Sequence, residues 1–158
     1  MGAGRVKLLV ICLGNICRSP MAEGALRRRL ADSPLAERMQ IDSAGTGGWH
    51  AGQPPDSRAI ACAQRHGVDI SGQRARQLRA EDFEAFDWLL CADEQNLRDV
   101  RRMAPAAHAH KVVLLMEWAG LGVQGVPDPY TGGHEDFDHV WRLVDSAASA
   151  VVMRLSSE

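Results

Sequence analysis

Apolar residues recur along the chain in two rhythms. Val6 to Leu13 is almost continuously apolar and rich in Val, Ile and Leu, the mark of a strand buried on both faces. Met39 to Ala44, Trp88 to Cys91 and Lys111 to Leu115 repeat that pattern in shorter form. Between these runs the apolar positions take helical spacing: Ala22, Ala25, Leu26 and Leu30; Ala59, Ile60 and Ala63; Leu97, Val100 and Met103; and Phe137, Val140, Trp141, Val144, Ala148 and Val151. Punctuation agrees with the rhythm. Ser19 is suited to cap the first helix and Pro20 to open it, Pro54-Pro55 introduces a helix from about Asp56 to His66, Gly67 stops it, and Asp93 caps the next. A short helix over Glu81 to Phe86 precedes the third strand. Strands alternating with amphipathic helices predict an α/β fold, a parallel sheet of four strands covered by helices on both faces. Sheets of this kind bind ligands beyond the carboxyl ends of their strands, so the first strand-to-helix turn, Cys12 to Ser19, is where a site is expected.

The 158 residues correspond to one domain, 1–158, with no internal repeat, low-complexity tract or linker. Lys and Arg number 18 against 20 Asp and Glu, a net charge of −2 that excludes a strongly basic nucleic-acid binder. The three arginines Arg27, Arg28 and Arg29 read as a solvated helix face. The longest apolar run, Leu8 to Leu13, is far short of the roughly 20 residues of a membrane span, so no membrane insertion is expected. Arg5 and Lys7 precede that run, but Asn15 and Arg18 close it too early for a signal peptide. Met1-Gly2 invites myristoylation, yet Val6 stands where Ser or Thr is required. The expected location is the cytoplasm. Without an export signal, Cys12, Cys17, Cys62 and Cys91 read as thiols. His108-x-His110 and His134-x4-His139 join no cysteine or carboxylate set with metal spacing, so neither a metal nor another cofactor is expected. Gly45-x-Gly47 lacks the full spacing of a dinucleotide loop.

The turn itself reads Cys12-Leu13-Gly14-Asn15-Ile16-Cys17-Arg18-Ser19. A tight loop between strand and helix turns successive backbone N–H groups inward as an anion nest, and the helix that follows adds its positive dipole end. Leu13, Gly14, Asn15, Ile16 and Cys17 would supply the nest, and Arg18 a planar fork for two phosphate oxygens. The same field stabilises a thiolate on Cys12, to which Ser19 can donate a hydrogen bond. Gly14 and Asn15 are residue types that tolerate left-handed backbone. A sulfur nucleophile in an oxyanion cradle implies in-line attack on a phosphate monoester and a cysteinyl-phosphate intermediate. Asp128, on the rigid Pro127-Asp128-Pro129 loop, is the candidate proton donor to the leaving oxygen and later the base toward water. Each residue alone also has a plainer reading: Cys12 as a small core residue, Asp128 as a turn former, Cys17 as a packed helix-start residue. As a hypothesis, Cys17 could instead capture an oxidised Cys12 as a disulfide.

With these motifs the sequence resembles the low-molecular-weight protein tyrosine phosphatase family. The signature is Cys12-Leu-Gly-Asn-Ile-Cys-Arg-Ser-Pro-Met-Ala-Glu23. Ser43-Ala-Gly-Thr46, His66-Gly67, Arg74-Ala-Arg-Gln77, Asp93-Glu94-x-Asn96-Leu97 and Asp128-Pro129-Tyr130 follow in family order, so the likeness runs from Val6 to about Trp141. The resemblance implies a flavodoxin-like three-layer fold and phosphotyrosine hydrolysis, with Cys12 as nucleophile, Arg18 on phosphate and Asp128 as proton donor. It implies that Asn15 shapes the loop through Ser19 and Ser43, and that Trp49 and Tyr130 wall a cleft for a flat aryl ester. It implies phosphotyrosine proteins as partners, a bacterial tyrosine kinase among them, acting on a monomer or weak dimer. Two positions depart from the family pattern: Thr131 stands where a second tyrosine is frequent, and Gln73 where many relatives carry a histidine packed near the loop asparagine. Two rival functions use the same loop. An arsenate reductase would relay oxidation through Cys62 and Cys91, and a binding module would hold phosphotyrosine without turnover.

Overall fold

The computed structural model describes residues 5–157; Met1-Gly2, and with it the myristoylation reading, lies outside them. Four strands, β1 (Val6–Cys12), β2 (Met39–Gly45), β3 (Trp88–Cys91) and β4 (Val112–Leu114), form one sheet in the order β2-β1-β3-β4, every pair parallel. β1 is central, and its alternation divides the core. Leu8, Val10 and Cys12 face one layer; Leu9 and Ile11 face the other. On the first face lie α1 (Arg18–Ala31), α2 (Ser57–Arg65), α5 (Leu115–Trp118) and α6 (His134–Ser156). On the second lie α3 (Asp82–Ala85) and α4 (Glu94–Met103), through Phe83 and Val100. The three-layer α/β architecture expected from the alternating rhythm is the one observed. None of the described helices is long and apolar enough to cross a membrane.

Capping side chains set three of the six described helix starts. The Asp56 carboxylate accepts the Arg58 N–H at the head of α2, the Asp93 carboxylate accepts the Asn96 N–H at the head of α4, and Asp136 reaches back to the Gly133 N–H before α6. The first helix departs from expectation. It begins at Arg18, with Cys17 in the capping position and no side-chain cap, because the Ser19 hydroxyl is occupied by Cys12 and Asn15. Pro20 therefore sits at the third helical residue, where its missing N–H is still one that no carbonyl would accept. The expected single apolar face of α1 is also too narrow a description, since Arg18 through Leu26 are all buried. β4 is shorter than its apolar run suggests: Leu115 leaves the sheet to open α5, and a 3-10 turn, Ala106–Lys111, precedes it. Met103, placed on the inner side of α4 by spacing, is largely exposed.

Connectivity places the site. From central β1 the chain crosses through α1 to β2 on one side and later to β3 on the other. The crevice at this reversal opens beyond the carboxyl end of β1, where residues 13–18 lie.

Candidate active site

Three hydrogen bonds fix the loop's orientation. The N–H groups of Thr46, Gly47 and Asp56 bind the carbonyls of Cys12, Leu13 and Ile16, each at 2.9 Å. With those carbonyls drawn outward, the N–H groups of Gly14, Asn15, Ile16 and Cys17 have no protein acceptor among the described residues. Gly45 is needed for this closure, because a Cβ there would stand 2.8 Å from the Leu13 oxygen and 3.1 Å from the Asn15 nitrogen. Asn15 alone of the described non-glycine residues has positive φ, 59°. Gly14, expected to share that geometry, does not; it lies instead against His50, whose Cδ2 would be 3.0 Å from an added Cβ.

Asn15 organises the floor. Its Oδ1 accepts the Arg76 backbone N–H at 3.0 Å, which fixes the amide's orientation, since that partner can only donate. Nδ2 then donates to Ser19 Oγ at 2.8 Å and to Ser43 Oγ at 3.0 Å. With one lone pair of Ser19 Oγ filled, its hydroxyl proton is free to reach Cys12 Sγ, 3.0 Å away. The Ser43 hydroxyl donates in turn to Glu23 Oε1 at 2.7 Å. Burial pushes the Glu23 carboxyl above its ordinary value, against the opposing pull of the Ser43 and Arg27 hydrogen bonds. Gln73 does not join this set: its Nε2 donates to the Pro20 carbonyl at 3.1 Å.

Arg18 is buried yet charged. Its Nη1 donates to Asp93 Oδ2 at 2.5 Å and to the Val126 carbonyl at 3.1 Å, and Nη2 lies 3.7 Å from Asp128 Oδ2. Burial works against the guanidinium charge, but Cys12, Asp93 and Asp128 outweigh it and hold the pKa above its ordinary value. Asp93 thus does two things, capping α4 with Oδ1 and aiming Arg18 with Oδ2. Asp128 Oδ1 accepts the Tyr130 N–H at 3.1 Å, which leaves Oδ2 facing Arg18. Arg58 holds the same loop, donating to the carbonyls of Tyr130 and Gly132 at 2.8 and 3.1 Å while pairing with Asp56.

These groups enclose a cavity of about 170 Å³ lined by Cys12, Arg18, Trp49, His50, Asp128 and Tyr130, with the loop residues beneath. Trp49 and Tyr130 are both largely exposed at its mouth. The structure therefore brings Cys12, Leu13, Gly14, Ile16, Cys17, Arg18, Trp49, Asp128 and Tyr130 to one cavity, with Asn15, Ser19 and Ser43 bonded behind it. Sequence reasoning missed His50, the Asp93–Arg18 pair, Glu23 and the Arg58 anchor; it placed Asp93 as a helix cap, which it is, and Glu23 only as part of a longer motif. Cys17 is buried, and burial, followed by Asp56, Cys12 and Asp128, pushes its thiol up to about 12 against the pull of Arg58. Cys62 and Cys91 cannot serve a relay together. Cys62 packs in the core on the α1 side, whereas Cys91 faces the α4 side, its thiol pushed up to about 12 mainly by burial.

Comparison with known proteins agrees with this geometry. A family model described as low molecular weight phosphotyrosine protein phosphatase matches residues 7–158. The human low molecular weight phosphotyrosine protein phosphatase is 42% identical over 137 residues, 85% of this chain and 86% of its own. The Schizosaccharomyces pombe protein of the same description is 41% identical over 143 residues, 89% and 91% of the two chains. Among solved structures, a protein tyrosine phosphatase from Entamoeba histolytica with Hepes in its active site superposes with a TM-score of 0.91 at 31% identity, covering 96% of this chain and 97% of that one. The tyrosine phosphatase Wzb from Escherichia coli K30 in complex with sulphate gives 0.83 at 34% identity, covering 94% and 97%. The chain belongs to the low molecular weight phosphotyrosine protein phosphatase family, flavodoxin-like in fold, and its activity is that family's: hydrolysis of phosphotyrosine through a cysteinyl-phosphate.

Proposed function

We propose that residues 1–158 form a single phosphatase domain in which Cys12 is the nucleophile, Arg18 the phosphate clamp and Asp128 the proton donor. The observation that carries this is the convergence of Cys12, Arg18 and Asp128 on one cavity, over a loop whose amides at residues 14–17 find no acceptor among the described residues. Three phosphoryl oxygens sit in the nest of residues 13–18, with two of them on the Arg18 fork. Cys12 Sγ attacks phosphorus opposite the bridging oxygen, the P–O bond breaks, and Asp128 gives that oxygen its proton. Asp128, now a carboxylate, takes a proton from water as it attacks the cysteinyl-phosphate; phosphate leaves and the thiolate is restored. The backbone dipoles and Arg18 supply charge stabilisation that does not have to reorganise in the transition state. Asn15, Ser19 and Ser43 hold the loop and the sulfur, and Trp49 and Tyr130 flank an aryl group, so that a flat tyrosyl ester reaches the floor.

Replacing Asp128 by Ala tests the assignment. Turnover should fall by about 10²–10⁴, the usual cost of a lost general acid, and more for phenyl phosphate than for p-nitrophenyl phosphate, whose leaving group needs no proton. Equal loss for both would remove Asp128 from the role. Cys12→Ser should abolish turnover while vanadate still binds.

The substrates on this reading are tyrosine-phosphorylated proteins in the cytoplasm, an autophosphorylated bacterial tyrosine kinase among them, met by a monomer or weak dimer. Capture of such a protein by Asp128→Ala, and not by Asp128→Ala with Arg18→Ala, would identify one. Cys17 has a second task in this scheme. Peroxide converts the Cys12 thiolate to a sulfenic acid; the Cys17 thiol condenses with it, forming a disulfide and releasing water. Wild-type enzyme inactivated by peroxide should then recover fully with dithiothreitol and Cys17→Ser should not; equal recovery would discard the idea.

A further inference from the structure

Away from the catalytic cavity, at the seam between α2 and α6, Cys62, His66 and Asp138 bring one sulfur, one imidazole nitrogen and one carboxylate oxygen within 4.8 Å of one another. Cys62 and His66 are four residues apart at the end of α2 and so project from one side of it; Asp138 is supplied by the first turns of α6. Their pairing is invisible to a search for His-rich or Cys-rich spacing, because the third group comes from the far end of the chain. We propose that this seam is a transition-metal site, taking Zn²⁺ in preference to Mg²⁺ or Ca²⁺, that clips α2 to α6.

The geometry is close to what zinc requires. Bonds of about 2.3 Å to sulfur and about 2.0–2.2 Å to nitrogen and oxygen put tetrahedral ligand atoms roughly 3.3–3.7 Å apart, sulfur–oxygen pairs at the upper end. Cys62 Sγ lies 3.3 Å from Asp138 Oδ1, so those two groups need part by only a few tenths of an ångström and the larger movement falls to the imidazole. The ring of His66 is stacked on Trp141, centroids 5.2 Å apart and planes 13° off parallel, which restricts its motion to sliding over that surface. A thiolate, an imidazole and a carboxylate together favour Zn²⁺ over Mg²⁺ or Ca²⁺, which prefer all-oxygen sets. The fourth position is left to water.

Two groups oppose the metal. Arg65 donates to Asp138 Oδ1 at 2.8 Å, and must turn away when that oxygen takes zinc. Its side chain is 41% exposed and the pair lies at the surface, where ion pairs contribute little. The second is the proton on sulfur. Burial, then the Asp138 carboxylate, pushes the Cys62 thiol up to about 11, so zinc must displace that proton to solvent as the S–Zn bond forms.

The active-site thiols are removed first so that they do not compete: the full chain carrying Cys12→Ser and Cys17→Ser is reduced, freed of metal and titrated with Co²⁺. One equivalent should bind with a thiolate-to-cobalt charge-transfer band, and Zn²⁺ should displace it. Zn²⁺ should also raise Tm where the same concentration of Mg²⁺ does not. Adding His66→Ala, a change at an exposed side chain, should weaken cobalt binding at least tenfold, and Cys62→Ala should abolish the charge-transfer band. Absence of the band in the parent, its persistence with Cys62→Ala, or an unchanged cobalt affinity with His66→Ala would overturn the site.

Discussion

Asn15 serves the active site with its side chain as well as its backbone. It is buried, holds φ at 59°, and ties Ser19, Ser43 and the Arg76 backbone together. Asn15→Ala therefore loses two different things. The part-buried Arg76 N–H and the two hydroxyls lose their partner, at a cost of about 1–3 kcal/mol, and alanine, without the short polar side chain that lets asparagine adopt it, is left in the left-handed region, at up to about 1–2 kcal/mol more. Asn15→Gly loses only the first. The glycine variant should be the more stable of the two in urea unfolding by about 1 kcal/mol, while both lose similar turnover on p-nitrophenyl phosphate, because neither fixes the Ser19 hydroxyl toward Cys12. Wild-type turnover in Asn15→Gly would show that backbone conformation alone shapes the loop. The chemistry of residues 12–19 could be read from sequence because its parts are contiguous. Glu23, Ser43, Arg76 and Asp93 meet that loop only through the fold. Ser43 and Asp93 were visible through likeness to a family, and no local spacing assigns Glu23 its hydroxyl partner.

At the scale of elements, Asp56 and Arg58 join the two halves of the site. The Asp56 N–H holds the Ile16 carbonyl of the phosphate loop, its carboxylate caps α2 and grips Arg58, and Arg58 holds the Tyr130 and Gly132 carbonyls of the loop bearing Asp128. The Arg58 hydrogen bonds, outweighing burial, keep the Asp56 carboxyl below its ordinary value of 3.8. A depressed carboxyl pKa stabilises the fold above that ordinary value, and the benefit disappears as pH falls through the folded-state value. Asn preserves the cap, so Asp56→Asn isolates the charge. Its urea midpoint should lie below wild type near neutrality, and the two should converge below pH 3.8; a constant gap would assign the loss to the cap. Arg58→Ala, which frees the acid loop, should lower turnover by up to about 10²-fold, the scale of a small misplacement of a reacting group. The elements themselves were legible in outline, since buried strands and amphipathic helices differ in period. The start of α1 was not. Ser19 is a good cap by composition, and only its contacts with Cys12 and Asn15 show why it does not act as one.

Over the whole molecule, the phosphate loop is supported by how closely α1 packs beneath the 66–76 segment that crosses toward Arg76. Gly24 permits that approach: a Cβ there would stand 2.6 Å from Ile70 Cγ2 and 3.1 Å from Val68 Cγ1. Gly24→Ala thus opposes two effects. Alanine in a helix interior gains about 1 kcal/mol over glycine, while overpacking costs about 1–3 kcal/mol. Ile70 and Val68 are both buried and have little room to withdraw, so the cost should prevail and the variant should be less stable by up to about 2 kcal/mol. The strain has a direction as well as a size. Pushing Ile70 away from α1 moves the strand of chain that leads to the Arg76 N–H, and so pulls on Asn15 Oδ1 and, through Nδ2, on the Ser19 hydroxyl beside Cys12. Turnover should fall together with stability even though Gly24 does not line the catalytic cavity. Gly72→Ala is the matched control in the same segment, since nothing lies within 4 Å of its added Cβ and its φ is not positive; it should leave turnover unchanged and stability equal or raised by about 0.4–1 kcal/mol. If Gly24→Ala unfolds at wild-type urea and keeps wild-type turnover, the packing between α1 and the 66–76 segment is looser than these distances imply, and the phosphate loop does not depend on it.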